Sequence, residues 1–342
     1  MSLIARRLPG ILLLTCVILF SGGCKYVYGD AYTYLSVTDP SSGENLDLKI
    51  QVLPAAAGAP ALPDGRYPGL IFVHGGGWNS GSRFGNGFDT EIKAASLRGF
   101  VAASIDYRLS RRDVSGDTIF PWPAQLQDLK CAVRWLKSHA QDFNLDPDHI
   151  SVMGVSAGGH LAAMAAETPV HLDLEAADCP HDADSSVASA VVFSGVVDVE
   201  TAWNMSGVVA SQMLLLTNSS AKIATRFDTL APSVRDSLLS IDPVTAIGSA
   251  ASPVLLVHPR DDYLVPFTNA QRYFQTLVEW GRPACLLALD RGGHFSGTDG
   301  TEAYRYARIQ MYEWLDRSLN RGNGGTPCDP FAQAEFLLTV PG

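Results

Sequence analysis

Positive charge is scarce in this sequence of 342 residues, which has 25 lysines and arginines against 35 aspartates and glutamates. The net charge of −10 and the lack of a basic cluster argue against nucleic acid as a partner. Charged residues make up only 18% of the chain and hydrophobic residues 46%, which argues against long disordered segments. The composition therefore predicts a globular chain with a sizeable buried core.

The N-terminal region has no apolar run that spans a bilayer comfortably, since the run at residues 11–20 is too short. Two arginines before it and small residues after it are typical of a secretory signal. Residues 21–24 resemble a bacterial lipobox, which implies removal of residues 1–23 and lipidation of Cys24. The alternative is ordinary cleavage after Gly29. We therefore expect export from a bacterial cytoplasm, either to the periplasm or cell envelope on a lipid anchor or as a secreted protein.

Cysteine is also scarce, and its six positions include no CxxC pair and no Cys/His spacing typical of a metal site. We expect neither a metal nor another cofactor. Cys131 lies in a helical pattern and Cys285 in an apolar strand, where isolated buried thiols are expected. Cys179 and Cys328 lie in loop-like segments beside proline, and an exported chain could join them by a disulfide. The spacing does not determine the pairing.

Short apolar runs alternate with helical patterns through most of the chain, after an antiparallel hairpin predicted within residues 32–53. This alternation predicts one α/β domain over residues 30–320, with a mainly parallel central sheet and helices on both faces. Residues 199–248 break the alternation. They predict a small helical cap-like insertion whose apolar side either lines a pocket or packs on the core. Residues 321–342 form a tail to which the sequence assigns no role.

Two motifs carry the first half of a reactive site. Gly154-x-Ser156-x-Gly158 has the form of a nucleophile elbow, where glycines leave room for a serine on a sharp strand-to-helix turn. His74-Gly75-Gly76-Gly77-Trp78 follows an earlier strand, and its glycines let backbone N–H groups converge on a developing oxyanion. Ser156 is the expected nucleophile. The expected oxyanion hole consists of the N–H groups of Gly76, Gly77 and Ala157.

An acid and a base are expected in loops that follow two later strands. Asp261 and Asp262 both follow an apolar run, and Asp262 is preferred as the acid because it fits an Asp-x-x-Val-Pro pattern. Asp261 remains the alternative. Of eight histidines, only His294 combines a loop after a strand, adjacent glycines and a place after the acid. Asp262 would orient the imidazole of His294, which would accept the proton of Ser156 as the serine attacks a carbonyl carbon.

Taken together, these motifs resemble those of α/β-hydrolase-fold serine esterases. The resemblance is to the branch of hormone-sensitive-lipase-like esterases and bacterial acetyl- and feruloyl-esterase-like carboxylesterases. It spans residues 74–294 and includes Asp106-Tyr107-Arg108-Leu109 and the Pro-rich stretch before Asp128. It implies a Ser-His-Asp triad in the chain order that α/β-hydrolases share. Pro259 departs from the glycine usual in the family, and residues 199–248 carry no family motif.

The leading hypothesis is an exported carboxylesterase that works through an acyl-enzyme, without a cofactor. Its partner would be a small-molecule, polysaccharide-linked or lipid-linked ester, and attachment to a membrane would run through Cys24. One alternative is an amide-cleaving relative, either a formamidase or a peptidase-like enzyme. Another is a catalytically inactive hydrolase fold that serves in binding. The sequence carries no signal for the acyl and alcohol parts of the substrate or for the oligomeric state.

Overall fold

The computed structural model describes residues 29–169, 171–223, 225–248, 252–295, 301–319, 321, 328–330 and 332–340. The predicted signal at residues 1–23 and the lipidation candidate Cys24 lie outside these ranges. Within them, none of the helices combines the length and the apolar character that crossing a bilayer requires.

The secondary structure alternates as the sequence pattern predicts. The strands of the described residues are β1 Asp30–Thr38, β2 Asn45–Leu53, β3 Tyr67–Val73, β4 Val101–Ile105, β5 Arg111–Arg112, β6 Thr118–Ile119, β7 Leu145–Val155, β8 Ser189–Phe193, β9 Val254–Pro259, β10 Ala284–Leu289 and β11 Gln333–Leu338. The α-helices are α1 Phe88–Leu97, α2 Ala124–Ser138, α3 Ala157–Glu167, α4 Val199–Met205, α5 Gly207–Leu216, α6 Pro232–Leu239, α7 Pro243–Ala246, α8 Phe267–Glu279 and α9 Glu302–Ser318.

Nine of these strands form one sheet in the order β1-β2-β4-β3-β7-β8-β9-β10-β11. The first two pairs in this order are antiparallel: β1 and β2 form the predicted hairpin, and β2 runs against β4. All other neighbours in the sheet pair parallel. Parallel strands end at the same edge of a sheet, so the loops after β3, β7, β9 and β10 are brought to one edge.

The core is divided by the sheet into two layers, as the alternation of side chains along a strand requires. In β3, Ile71 and Val73 pack into one layer with residues of α2, α3, α8 and the segment 199–248. Leu70 and Phe72 point to the other face, where α1 and α9 cover them. The predicted α/β architecture with helices on both faces is therefore confirmed.

The described residues of 199–248 include four α-helices, α4 to α7. Their apolar side chains, including Trp203 and Met213, belong to the same buried layer as α3. The apolar side of this insertion thus packs on the core, which is one of the two arrangements that the sequence left open. We call residues 199–248 the cap.

The predicted cysteine arrangement is wrong in both of its parts. Cys131 of α2 is bonded to Cys179 and Cys285 of β10 to Cys328, with Cα–Cα distances of 5.7 and 5.8 Å. Cys131 and Cys285 are therefore not isolated thiols, and Cys179 does not pair with Cys328. Each helix or strand cysteine is bonded to a loop cysteine that packs against it, a proximity fixed by the tertiary fold and invisible in the spacing.

The C-terminal segment, which the sequence set apart as a tail, contributes the edge strand of the sheet. β11 pairs parallel with β10 over six residues, from Ala284 opposite Gln333 to Leu289 opposite Leu338. Cys328 and Val340, on either side of the strand, are 0% and 2% exposed. The sheet thus extends past residue 320.

Candidate active site

Ser156 lies on the turn between β7 and α3 with φ 55° and ψ −119°. A positive φ is strained for a residue with a side chain, and here the N–H of Ser156 is fixed by the carbonyl of Phe193 at 2.9 Å. A Cβ at Gly154 would overlap the backbone of Gly158, and a Cβ at Gly158 would overlap the carbonyl of Val73. The two glycines of the elbow motif therefore have a steric cause.

The side chain of His294 lies between Ser156 and Asp262. Its Nε2 is 3.0 Å from the hydroxyl oxygen of Ser156, and its Nδ1 is 2.9 and 3.1 Å from the two carboxylate oxygens of Asp262. Because a carboxylate only accepts, Nδ1 carries the proton and Nε2 can accept from the serine. The side chains of His294 and Asp262 are 3% and 0% exposed, so water competes little for either bond.

Asp262 is held as an anion by the groups around it. Burial alone would raise the pKa of this carboxyl, but hydrogen bonds from His258 and His294 outweigh burial and hold the pKa well below its usual range. The backbone N–H groups of Leu264 and Val265 also donate to Asp262 Oδ1, each at 2.9 Å. The carboxylate is thus ionised and fixed in one orientation.

His258 supports the same carboxylate from the end of β9. Its Nε2 donates to the carbonyl oxygen of Val265 at 2.9 Å and lies 3.4 Å from Asp262 Oδ2. The ring is 1% exposed. A buried histidine whose Nε2–H faces two oxygens of the same loop holds that loop closed, and Pro259 in the usual glycine position does not prevent this.

Asp261, the alternative acid, makes a different contact. Its Oδ1 accepts from the backbone N–H of Gly293 at 2.8 Å, one residue before His294. Gly293 has φ 61°, a conformation that glycine adopts without strain. The structure thus brings Asp262 to the imidazole and Asp261 to the loop that carries it. The two adjacent carboxylates have separate contacts.

The glycine-rich loop after β3 lies beside the serine. The N–H of Gly75 donates to the side chain of Asn86 at 2.8 Å. Gly76 and Gly77 have φ 114° and 59°, and no described residue accepts a hydrogen bond from their N–H groups. Ala157 is the first residue of α3, where N–H groups have no partner inside the helix. These three donors are therefore available to a bound oxygen.

Trp78, which closes the glycine-rich loop, is tied to the elbow helix and the cap. Its indole N–H donates to His160 Nδ1 at 3.2 Å, and His160 Nε2 donates to the carbonyl of Ile241 at 2.6 Å. Complete burial lowers the pKa of His160 from 6.5 to about 4, so the ring is neutral. His160 is thus a structural hydrogen-bonder, in contrast to His294.

A cavity of about 300 Å³ opens over Ser156 and His294. The glycine-rich loop, Leu264 and Gln212 contribute to its lining. Gln212 belongs to α5 of the cap, and its amide would overlap a Cβ placed on Gly77. The cap therefore presents a polar side chain to the cavity while its apolar residues pack on the core.

Sequence reasoning did not find Gln212. The signal in the chain is weak: Gln212 and its neighbour Ser211 are the polar residues in the otherwise apolar run of α5. Which polar residue faces a cavity depends on how the helix is docked, and no local pattern encodes this. The structure brings all the expected site residues to one edge of the sheet, directly after β3, β7, β9 and β10: Ser156, Asp262, His294, Gly76, Gly77 and Ala157.

Comparison of the chain with known proteins identifies its family. The family model described as BD-FAE matches residues 59–277. The chain belongs to the BD-FAE family. Two curated relatives come from Mycobacterium tuberculosis: the probable carboxylic ester hydrolase LipM, 32% identical over 224 residues, and the esterase LipC, 29% identical over 241 residues. These matches cover 66% and 70% of this chain but 48% and 56% of the relatives, so the chain spans about half their length.

Among solved structures, the chain of this BD-FAE family member is similar to a thermophilic esterase, Est2 of Thermogutta terrifontis, with propionate bound. The TM-score is 0.64 at 25% sequence identity, and the alignment covers 84% of this chain and 93% of the esterase. The resemblance to α/β-hydrolase esterases, which the motifs indicated, is confirmed by these comparisons.

Proposed function

We propose that this chain is a serine carboxylic-ester hydrolase in which Ser156, His294 and Asp262 act as the catalytic triad. The observation that carries the proposal is the continuous line of hydrogen bonds from the Ser156 hydroxyl through the imidazole to Asp262. Membership in the BD-FAE family and relatives named as esterases support it.

In the proposed reaction, Ser156 Oγ forms a bond to the ester carbonyl carbon while its proton passes to His294 Nε2. The carbonyl oxygen becomes an oxyanion, which accepts hydrogen bonds from the N–H groups of Gly76, Gly77 and Ala157. Asp262 stays ionised and stabilises the imidazolium. When the tetrahedral intermediate collapses, the alcohol leaves with the proton from His294, and Ser156 remains acylated.

Deacylation repeats these steps with water as the nucleophile. His294 Nε2 accepts a proton from the water as its oxygen bonds to the acyl carbon, and then returns the proton to Ser156 Oγ as the acid departs. Every proton thus moves between Ser156 Oγ, the leaving alcohol, water and one imidazole nitrogen. The bonds and protons of the proposed reaction balance without a cofactor.

We further propose that the substrate is a small ester with a short acyl group. The cavity over Ser156 measures about 300 Å³, at the small end for ligand pockets, and Gln212 limits its extent above Gly77. The propionate bound to the similar thermophilic esterase is a short acid of this kind.

We propose, finally, that the chain is exported and that Cys24 carries a lipid anchor. Two disulfides, Cys131–Cys179 and Cys285–Cys328, support an oxidising compartment, because such bonds are rare in a reducing cytosol. Mass spectrometry of the envelope-extracted protein would detect a diacylglyceryl group on Cys24. A mature N-terminus at residue 30 without lipid would instead indicate cleavage after Gly29.

The activity is tested with p-nitrophenyl esters of increasing acyl length and with a p-nitroanilide, on the wild type and on Ser156→Ala. Ser233→Ala, at an exposed serine of α6, is the matched control. We expect ester turnover in the wild type and the control only, with a fluorophosphonate probe attached to Ser156. Faster cleavage of the anilide would indicate an amide-cleaving enzyme. Neither turnover nor labelling would indicate an inactive fold.

A further inference from the structure

The C-terminal segment continues past β11 into contacts with the loop that carries His294. The N–H of Asp290 donates to the carbonyl of Leu338 at 3.0 Å, and the N–H of Val340 donates to Asp290 Oδ1 at 2.8 Å. Arg291 Nη2 donates to the carbonyl of Val340 at 2.9 Å. These contacts lie three and four residues before His294. We call residues Gln333–Val340 the C-terminal brace.

The brace is itself fixed to the strand from which that loop emerges. Its residues 333–338 pair with β10 along the whole of that strand. The disulfide Cys285–Cys328 joins β10 to the chain just before the brace, and Cys328 is completely buried. Val340 is buried as well. The brace thus has a defined position relative to β10, which a freely moving tail would lack.

The loop that the brace contacts has little stiffness of its own. Between Asp290 and His294 lie Gly292 and Gly293, with φ 156° and 61°, and glycine has the widest choice of backbone conformations. Asp261 holds the loop at Gly293 from the side of β9. The brace holds it at Asp290 and Arg291 from the side of β11. The loop is therefore fixed at both ends, by groups that do not contact the cavity.

We propose that the C-terminal brace is a positioning element for His294, and that Asp290 is the residue through which it acts. The inference rests on the proposed esterase function. A proton relay depends on its geometry, and misplacement of a catalytic group by about 1 Å can lower the rate roughly 100-fold. Release of one end of a glycine-containing loop allows displacements of this kind. The other residues that line the cavity, among them Gly76, Leu264 and Gln212, lie outside this loop, so we expect substrate binding to stay unchanged.

The test compares deletion of residues 339–342 with two single changes at Asp290. The deletion removes Val340 and its contacts with Asp290 and Arg291, but leaves β11 and the disulfide in place. Asp290→Ala removes only the acceptor for the Val340 N–H, whereas Asp290→Asn retains an oxygen acceptor. Glu335→Gln, at an exposed carboxylate of β11, is the matched control.

We expect the deletion to lower kcat roughly 10- to 100-fold with KM unchanged. Asp290→Ala should give a smaller loss of kcat, and Asp290→Asn and Glu335→Gln should retain the wild-type value. Hydrogen exchange of the peptide containing residues 290–294 should be faster in the deletion and in Asp290→Ala, an effect that does not depend on turnover.

Two results would overturn the brace alone. One is an unchanged kcat in both the deletion and Asp290→Ala while the wild type hydrolyses esters. The other is an equal loss of kcat in Asp290→Asn and Asp290→Ala, since the acceptor would then not be what matters. A wild type that neither turns over esters nor reacts with the fluorophosphonate probe would overturn the proposed function and the brace with it.

Discussion

The adjacent carboxylates Asp261 and Asp262 can be separated by the same substitution at each position. Asp262 faces Nδ1 of His294 at 2.9 Å and is almost completely buried, whereas Asp261 is exposed and accepts one bond from the N–H of Gly293 at 2.8 Å. Asparagine keeps the size and one oxygen of aspartate but loses the negative charge. We expect Asp262→Asn to abolish most activity and Asp261→Asn to have little effect.

The magnitudes follow from what each oxygen does. An amide at position 262 would present an N–H to Nδ1 and favour the imidazole tautomer that cannot accept the serine proton. The corresponding change in a serine protease lowers kcat about 10⁴-fold, equivalent to about 5 kcal/mol of activation free energy. At position 261 the amide oxygen can still accept from Gly293. Asp261→Ala loses that bond, worth about 1 kcal/mol, so we expect about a fivefold fall in kcat.

The assay is kcat and KM for a short p-nitrophenyl ester with Asp261→Asn, Asp261→Ala and Asp262→Asn. Thermal unfolding of each variant serves as the control, so that a loss of folded protein is not counted as a loss of chemistry. A loss in Asp261→Asn as large as that in Asp262→Asn would refute the division of roles. So would a wild-type rate in Asp262→Asn.

Two further predictions concern the cap and its contacts. Burial lowers the pKa of His160 from 6.5 to about 4, so the folded state favours the neutral ring. The contribution of this ring to the free energy of unfolding is complete above pH 6.5 and is lost as the pH falls towards 4, a loss of up to about 3 kcal/mol. Burial raises the pKa of Asp242 to about 7, so protonation of this carboxyl increases the stability as the pH falls and opposes the effect of His160. Thermal unfolding from pH 7 to 4 should therefore be compared between the wild type and His160→Gln. A difference in stability that does not change with pH would contradict the assignment to His160. Gln212→Ala should widen the cavity, raising kcat/KM for longer acyl chains by about tenfold per methylene newly accommodated. Ser211→Ala is its control, and an acyl-length profile identical to that of the wild type would count against Gln212 as the limit.

The parts of the site that could be predicted from the sequence have local causes. Gly154 and Gly158 are required because a Cβ at either position overlaps backbone, so the elbow motif records a steric constraint of the turn itself. The strands around it are short apolar runs whose neighbours must be parallel, since helices separate them. A parallel sheet then brings the loops that follow its strands to one edge.

The parts that could not be predicted depend on contacts between distant segments. The Asp-x-x-Val-Pro pattern favoured Asp262 correctly, but the separate contact of Asp261 with the N–H of Gly293 joins segments 32 residues apart and has no signal in the sequence. Cys328 pairs with Cys285 because β11 lies next to β10, and no sequence motif predicts that β11 joins the sheet. Gln212 faces the cavity because of how the cap is docked.

The contacts around the site favour a common principle for its loops. Three of the four loops that carry proposed reactive groups are fixed by a polar side chain that has no part in the proposed reaction. Asn86 holds Gly75 before the proposed oxyanion donors, and Asp261 holds Gly293 before the proposed base. His258 holds Val265 after the proposed acid, Asp262. In all three cases a side chain binds a backbone group within three residues of a proposed reactive residue. Because a relay of hydrogen bonds tolerates small errors poorly, the activity should depend on these backbone contacts more strongly than the stability does.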